Sequence, residues 1–348
     1  MKLRGSSPTR GVKPLYFGYK LRKISFILSV FLLLLALILL SLSFGAASMG
    51  LKGVLEAFLG RGDAVNRAII WRMRMPRAAM AVLGGAGLGL SGAAIQGVLR
   101  NPLASPFTLG VASASGFGAA LAITMGAGLL GWGRYLVAFN AFTFALLATV
   151  IAYGVARIKG ASSTSLILAG IAVMYLFSSL TSILQYIGRR EEVHAVVFWL
   201  MGSLNGVRWN EVCFVGAAVV MSLPILILKS WDMNIMLEGD EVALSLGVNV
   251  RCLRLISIAL SSLMTASLIC FTGTIGFIGL MAPHIVRLAI GAEHSLLFPA
   301  SALTGSLLLL TADTASRLIL SPSEIPIGIT TSLIGVPFFL YLLIRRGR

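Results

Sequence analysis

Acidic charge is what this chain has least of: 12 Asp and Glu stand against 28 Lys and Arg in 348 residues. Charged residues of both signs make up only 11%, whereas soluble domains carry about 25%, and 57% of the chain is hydrophobic. That balance excludes an ordinary soluble domain and indicates an all-α, polytopic membrane protein. The net charge of +16 fits basic cytoplasmic ends of membrane helices better than nucleic-acid binding. The three cysteines (Cys213, Cys252, Cys270) are scattered in or beside apolar runs. With no ligand spacing among them, neither a disulfide nor a metal site is expected. The three histidines (His194, His284, His294) stand in no HExxH or Cys-His setting, and no GxxxxGK[ST] loop precedes any lysine. No catalytic residue and no cofactor is therefore expected, and any ATP hydrolysis belongs to another chain. Acids inside the apolar runs are almost absent, which argues against an ion-coupled transporter.

What is present is a succession of long apolar runs. Residues 1–23 form a basic tail with no acid, and Ile24–Phe44 follows without a charge. A signal peptide would have a shorter core, of about 7–15 residues, so this run reads as an uncleaved first span, although Ala46 and Ala47 resemble a cleavage site. Residues 45–77 form a polar outer segment. Further spans are expected near 78–99, 107–130, 135–156, 165–188, 212–228, 251–271, 277–287, 297–312 and 325–344, ten in all, with residues 24–348 forming one transmembrane domain. With both termini inside, 17 of the 28 basic residues fall on the inner side and 11 on the outer, the expected bias. Glycines at 85 and 89 have the GxxxG spacing that lets two helices approach closely.

Between two of these span blocks lies Asn234–Val250, where Glu238, Asp240 and Glu241 concentrate three of the 12 acids. Acids favour the positive end of a helix, Val242, Ala243, Leu244 and Leu246 supply a short apolar face, and Gly247 suits a C-terminal stop. The segment is too short and too charged to span. It reads as a helical knob outside the membrane, or else as a solvated loop.

Three long stretches carry a resemblance. Residues 74–118 (RMPRAAMAVLGGAGLGLSGAAIQGVLRNPLASPFTLGVASASGFG), 273–291 (GTIGFIGLMAPHIVRLAIG) and 324–337 (EIPIGITTSLIGVP) are similar, in order and spacing, to the signatures of the FecCD-type permeases. These are the membrane subunits of type II ABC importers for iron–siderophores, haem and cobalamin. The resemblance runs from about residue 24 to the end and leaves the basic N-terminal extension outside it.

The resemblance implies ten spans per subunit and a homodimer or paired permeases with the pathway at the dimer axis. Two ATP-binding subunits would bind inside and a substrate-binding protein outside, in the plasma membrane, with an iron–siderophore the first expectation for cargo. It assigns Glu238, Gly239, Asp240, Glu241, Ala243, Leu246 and Gly247 to coupling with the ATPase. Ser163 and Thr164 match one cytoplasmic gate, with the order of the two hydroxyl residues reversed relative to some relatives, and Asn101 and Leu103 match a second. Arg74, Arg77 and Arg317 match outer arginines that pair with carboxylates of the binding protein. Each assignment has a plainer reading: exposed arginines can be solvated, Ser163 and Thr164 can cap a helix, and Asn101-Pro102 can be only a turn. The competing functions are a secondary transporter acting alone, which needs intramembrane acids or ion ligands, and a membrane scaffold, which needs no acidic knob.

Overall fold

The computed structural model describes residues 12–44, 50–58, 61, 63–126 and 134–346, so the first eleven residues of the basic tail and Ala46-Ala47 lie outside the described residues. The chain folds into fifteen α-helices with no strand among the described residues. They are α1 Val12–Ser43, α2 Leu51–Phe58, α3 Ala64–Ile69, α4 Met75–Leu99, α5 Val111–Met125, α6 Arg134–Ile158, α7 Ser163–Ile187 and α8 Arg190–Met201. The second half holds α9 Trp209–Leu228, α10 Ser230–Met236, α11 Asp240–Ser245, α12 Val250–Thr272, α13 Ile278–Ile290, α14 His294–Leu318 and α15 Ile327–Arg346. Seven spans are long and apolar enough to cross a bilayer, and three shorter apolar helices fall in α5, α13 and α15. These ten correspond to the ten apolar runs of the sequence.

Helix α4 is the axis of the fold. Every residue from Gly87 to Leu99 is buried, and α9, α12, α13 and α14 pack around it. Glycine makes this possible. A Cβ at Gly85 would collide with the Gly305 backbone, one at Gly89 with the Ser301 carbonyl, and one at Gly92 with Gly279. The GxxxG spacing is thus the seam between α4 and α14, as close packing in lipid requires. Small hydroxyls stitch α4 to its neighbours: Ser306 Oγ on α14 donates to the Val82 carbonyl at 2.6 Å and Thr265 Oγ1 on α12 to Ser91 Oγ at 3.3 Å. The periphery is the reverse, with Leu28, Leu32, Leu33, Val150 and Val220 all exposed as a lipid-facing surface demands.

Three local features depart from the sequence reading. The polar segment before span two is helical from Ala64, passing through a π-helical turn at Ile70–Arg74 into α4. The third span is shorter than expected because Pro106–Leu109 forms a 3₁₀ turn before α5. The eighth span, α13, has 13 residues and begins inside the protein, since Gly279 meets Gly92 about two-thirds of the way along α4. The turn that precedes it, 273–277, is flanked by hydrogen bonds that link the end of α12, the segment after α8 and the start of α15. Ser203 N donates to the Thr272 carbonyl at 2.7 Å, Ile327 N to the Gly202 carbonyl at 3.0 Å, and Thr274 Oγ1 to the Leu200 carbonyl. Irregular backbone at membrane depth is tolerated where protein covers it in this way.

Candidate functional site

At the knob end of the bundle, α10 and α11 follow α9 after Lys229. Lys229 donates to Asp232 at 2.9 Å, and that hydrogen bond raises its pKa. Gly239 precedes α11 at φ +124° and Gly247 ends it at φ +84°, conformations that other L-residues rarely adopt. Val248 N donates to the Ala243 carbonyl at 2.9 Å, closing the turn. Of α11 only Ala243 is buried, while Val242, Leu244 and the following Leu246 are exposed. The apolar face of α11 therefore points away from the protein.

The three acids divide. Glu238 and Glu241 are exposed, whereas Asp240 turns inward to Arg254 on α12, a side chain 4% exposed. Arg254 Nη2 donates to Asp240 Oδ2 at 2.7 Å and Oδ1 at 2.9 Å. The same guanidinium reaches Ser163 Oγ at 3.3 Å, the Ala161 carbonyl at 3.2 Å and the Val98 carbonyl at 3.3 Å. Arg100, held at φ +49° just past α4, adds a longer contact to Asp240 at 3.4 Å. One buried cation thus ties the knob to the turn before α7 and to the end of α4. Sequence reasoning missed Arg254; the signal was an arginine one turn inside an apolar helix, where a partner is obligatory.

The gate candidates separate in the same region. Ser162, rather than Ser163 or Thr164, caps α7, accepting from Ser165 N at 3.2 Å. Ser163 is thereby free for Arg254, and Thr164 is exposed. Asn101 Oδ1 accepts from Leu103 N at 2.9 Å, an Asx turn that leaves Leu103 63% exposed. Behind the knob, Asn234 Oδ1 accepts from His294 N at 2.8 Å and Lys23 pairs with Glu293 at 2.8 Å, fastening α10 and α1 to the start of α14. The hydrogen bond from Lys23 lowers the Glu293 pKa.

At the opposite end the three arginines converge, and each is held by its own chain. Arg77 Nε donates to Asp313 Oδ1 at 2.8 Å, and its Nη1 to both oxygens of Glu324 at 2.9 Å. Arg317 lies 3.2 Å from Asp313 Oδ2 and donates to Ser41 Oγ at 2.7 Å. Arg74 donates to the Leu42 carbonyl at 2.6 Å and the Ser43 carbonyl at 3.1 Å. The side chain of Asp313 is fully buried. Three cations share two carboxylates here, so the cluster keeps an excess of positive charge. Asp313 and Glu324 were not anticipated as partners, although Asp313 directly follows the apolar run 297–312 and is the one acid of α14.

A cavity of about 910 Å³ lies between α7, α15 and the 273–277 turn, lined by hydroxyls and amides such as Ser178, Thr181, Gln185, Thr274 and Ser332, and by no charged side chain. Among the described residues no three His, Cys, Asp or Glu side chains are grouped to hold a metal.

Two clusters at opposite ends of an apolar bundle, with an uncharged cavity between, are what a substrate conduit needs, and the sequence pattern of the FecCD transport family matches residues 33–345. The chain belongs to the FecCD transport family. Among its FecCD relatives, the Fe(3+)-citrate import system permease protein YfmE of Bacillus subtilis is 40% identical over 91% of this chain and 93% of its own length. The hemin transport system permease protein HmuU of Yersinia pestis is 36% identical over 90% and 94%. A solved structure described as an inward-facing conformation of a metal-chelate type ABC transporter superposes with a TM-score of 0.82, at 34% identity, covering 92% of this chain and 99% of that one.

Proposed function

We propose that this FecCD chain is the permease subunit of an ATP-driven importer, working with separate ATP-binding chains at the knob end and a substrate-binding protein at the arginine end. The knob end is cytoplasmic, and both termini lie on that side. The observation that carries this reading is the tie between α11 and the candidate gate. An exposed apolar and acidic helix is joined through Arg254 to the turn before α7, whose helix lines the cavity. A push on α11 from an ATP-binding chain has a stiff route to the conduit. Glu238, Glu241, Leu244 and Leu246 form its contact face, while Asp240 belongs to the transmission.

The cargo is an iron(III) chelate, with haem and cobalamin behind it. Support comes from the cargoes of the relatives and from the cavity, whose neutral hydroxyls and aliphatic walls suit a bulky complex that is carried through without tight ligation. A second copy of the chain closes the cavity from its open side. A transporter acting alone is disfavoured, because the fully buried Asp313 is already neutralised by Arg77 and Arg317, and the buried Glu211 accepts from Arg208 N at 3.1 Å at the start of α9.

The test is reconstitution of the permease in proteoliposomes with its ATP-binding and substrate-binding partners, offering radiolabelled ferric citrate, a ferric hydroxamate, hemin and cobalamin in turn. ATP-dependent accumulation of one iron chelate supports the reading. Uptake by the permease alone, driven by an ion gradient, refutes it.

A further inference from the structure

A second cavity, separate from the conduit, opens at the knob end between the C-terminus of α6 and the N-terminus of α12. Its volume is about 420 Å³, and its walls are Tyr153, Arg157, Gly160, Ala161, Asn249, Arg251, Cys252 and Leu255. None of these residues lines the larger cavity. Two guanidiniums, a phenol and a side-chain amide thus face one groove that contains no carboxylate. Arg157 and Arg251 are exposed and make no ion pair with any described residue, whereas Arg254, one turn along α12, is fully engaged. Two adjacent unpaired arginines repel each other, and an anion between them removes that cost.

The groove also has an apolar side. Tyr153 and Leu255 lie a turn inside the apolar helices α6 and α12, and Leu255 is exposed. A free anion in water has no use for that wall. A phospholipid does, because its phosphate and its acyl chains meet at this depth, and basic pockets between membrane helices are suited to anionic headgroups. Guanidinium pairs also match phosphate geometry.

We propose that this groove is a binding site for an anionic phospholipid, its phosphate held between Arg157 and Arg251 and its chains against Leu255 and the ring of Tyr153. The bound headgroup rests against Gly160 and Ala161. The Ala161 carbonyl on that turn is the one held by Arg254 at 3.2 Å, so the lipid braces the turn that Arg254 ties to α11.

Cys252 provides the probe, since its thiol is exposed in the groove, Cys270 is buried, and Cys213 is removed by Cys213→Ser. The full chain is placed in nanodiscs of phosphatidylcholine, with or without phosphatidylglycerol, and alkylation of Cys252 by a maleimide is timed. Phosphatidylglycerol is expected to slow alkylation about tenfold, in keeping with two basic contacts to an anionic headgroup. Arg157→Gln with Arg251→Gln should abolish the difference between the two lipids, and Arg251→Lys should retain part of it. A control chain carrying Cys252→Ser and Ser245→Cys on the knob reports the general surface potential. Native mass spectrometry, counting phosphatidylglycerol retained by wild type and double variant, gives a readout independent of the thiol. Equal rates in both lipids, equal slowing at the control position, or undiminished lipid retention by the double variant overturns the proposal. So does protection by inorganic phosphate in phosphatidylcholine alone, which would make this a soluble-anion site.

Discussion

Replacing Asp240 by Asn removes one charge from the contact between α11 and α12 while keeping the shape of the side chain. Arg254 is then left 4% exposed with only neutral acceptors, the carbonyls of Val98 and Ala161 and the Ser163 hydroxyl. Removing one partner of a buried pair costs about 3–5 kcal/mol, and an exposed pair is worth about 1 kcal/mol or less. Asp240 is 31% exposed and three neutral acceptors remain, so a cost of about 2 kcal/mol is expected, between those limits. Arg254→Gln loses all four partners and should cost about 4 kcal/mol by the same buried-pair scale. A double-mutant cycle should return a coupling of about 2 kcal/mol, within the range for directly contacting residues. Glu241→Gln, on the exposed side of the same helix, is the control and should fall within about 0.5 kcal/mol of wild type. The assays are equilibrium unfolding in mixed micelles and, in proteoliposomes, the number of substrate molecules moved per ATP hydrolysed. Asp240→Asn should lower that ratio while ATP hydrolysis by the assembled complex continues, because the exposed contact face of α11 is untouched. A coupling energy indistinguishable from zero, together with an unchanged ratio, would refute transmission through Arg254.

Three further outcomes follow from the geometry. Glu324→Gln frees Arg77 Nη1 from its internal carboxylate, so affinity for the binding protein should rise several-fold and fall with added salt, whose screening length is about 8 Å at physiological ionic strength; a salt series that leaves variant and wild type alike removes Arg77 from the docking surface. Gly89→Ala places a methyl against the Ser301 carbonyl and should destabilise the chain by about 1–3 kcal/mol, as overpacking does, whereas the same change at Gly154, which has open space, should not, and thermal unfolding separates the two. The Glu293 pKa is lowered by Lys23, so its contribution is present above the ordinary glutamate pKa of about 4.3 and is lost as pH falls through the lowered folded-state value; Glu293→Gln should remove that acid-side dependence in a stability-versus-pH series and leave pH 7 within about 1 kcal/mol of wild type.

Much of this was legible in the chain itself, because lipid is a severe solvent. A helix crossing hydrocarbon must be apolar over most of its length, so the ten runs announce themselves, and the knob stands out as the place where acids gather between them. Gly85 and Gly89 announced a close packing face by spacing alone. What lay beyond the sequence was the partner of each polar group. Asp240, Glu238 and Glu241 are equivalent as letters, yet only Asp240 meets Arg254, because α11 is turned so that its apolar residues face outward. Arg74, Arg77 and Arg317 read as free outer cations, and tertiary packing gave two of them Asp313 and the third the end of α1. That α13 begins inside the protein was hidden for a related reason. Its preceding turn is apolar enough to read as an ordinary loop between spans, and only the packing of Gly273 and Gly328 against the end of α8 shows that it sits inside the protein. Local composition determined which segments leave water; the three-dimensional arrangement decided which of the few polar groups meet, because each one withdrawn from water must find a partner wherever the fold supplies it.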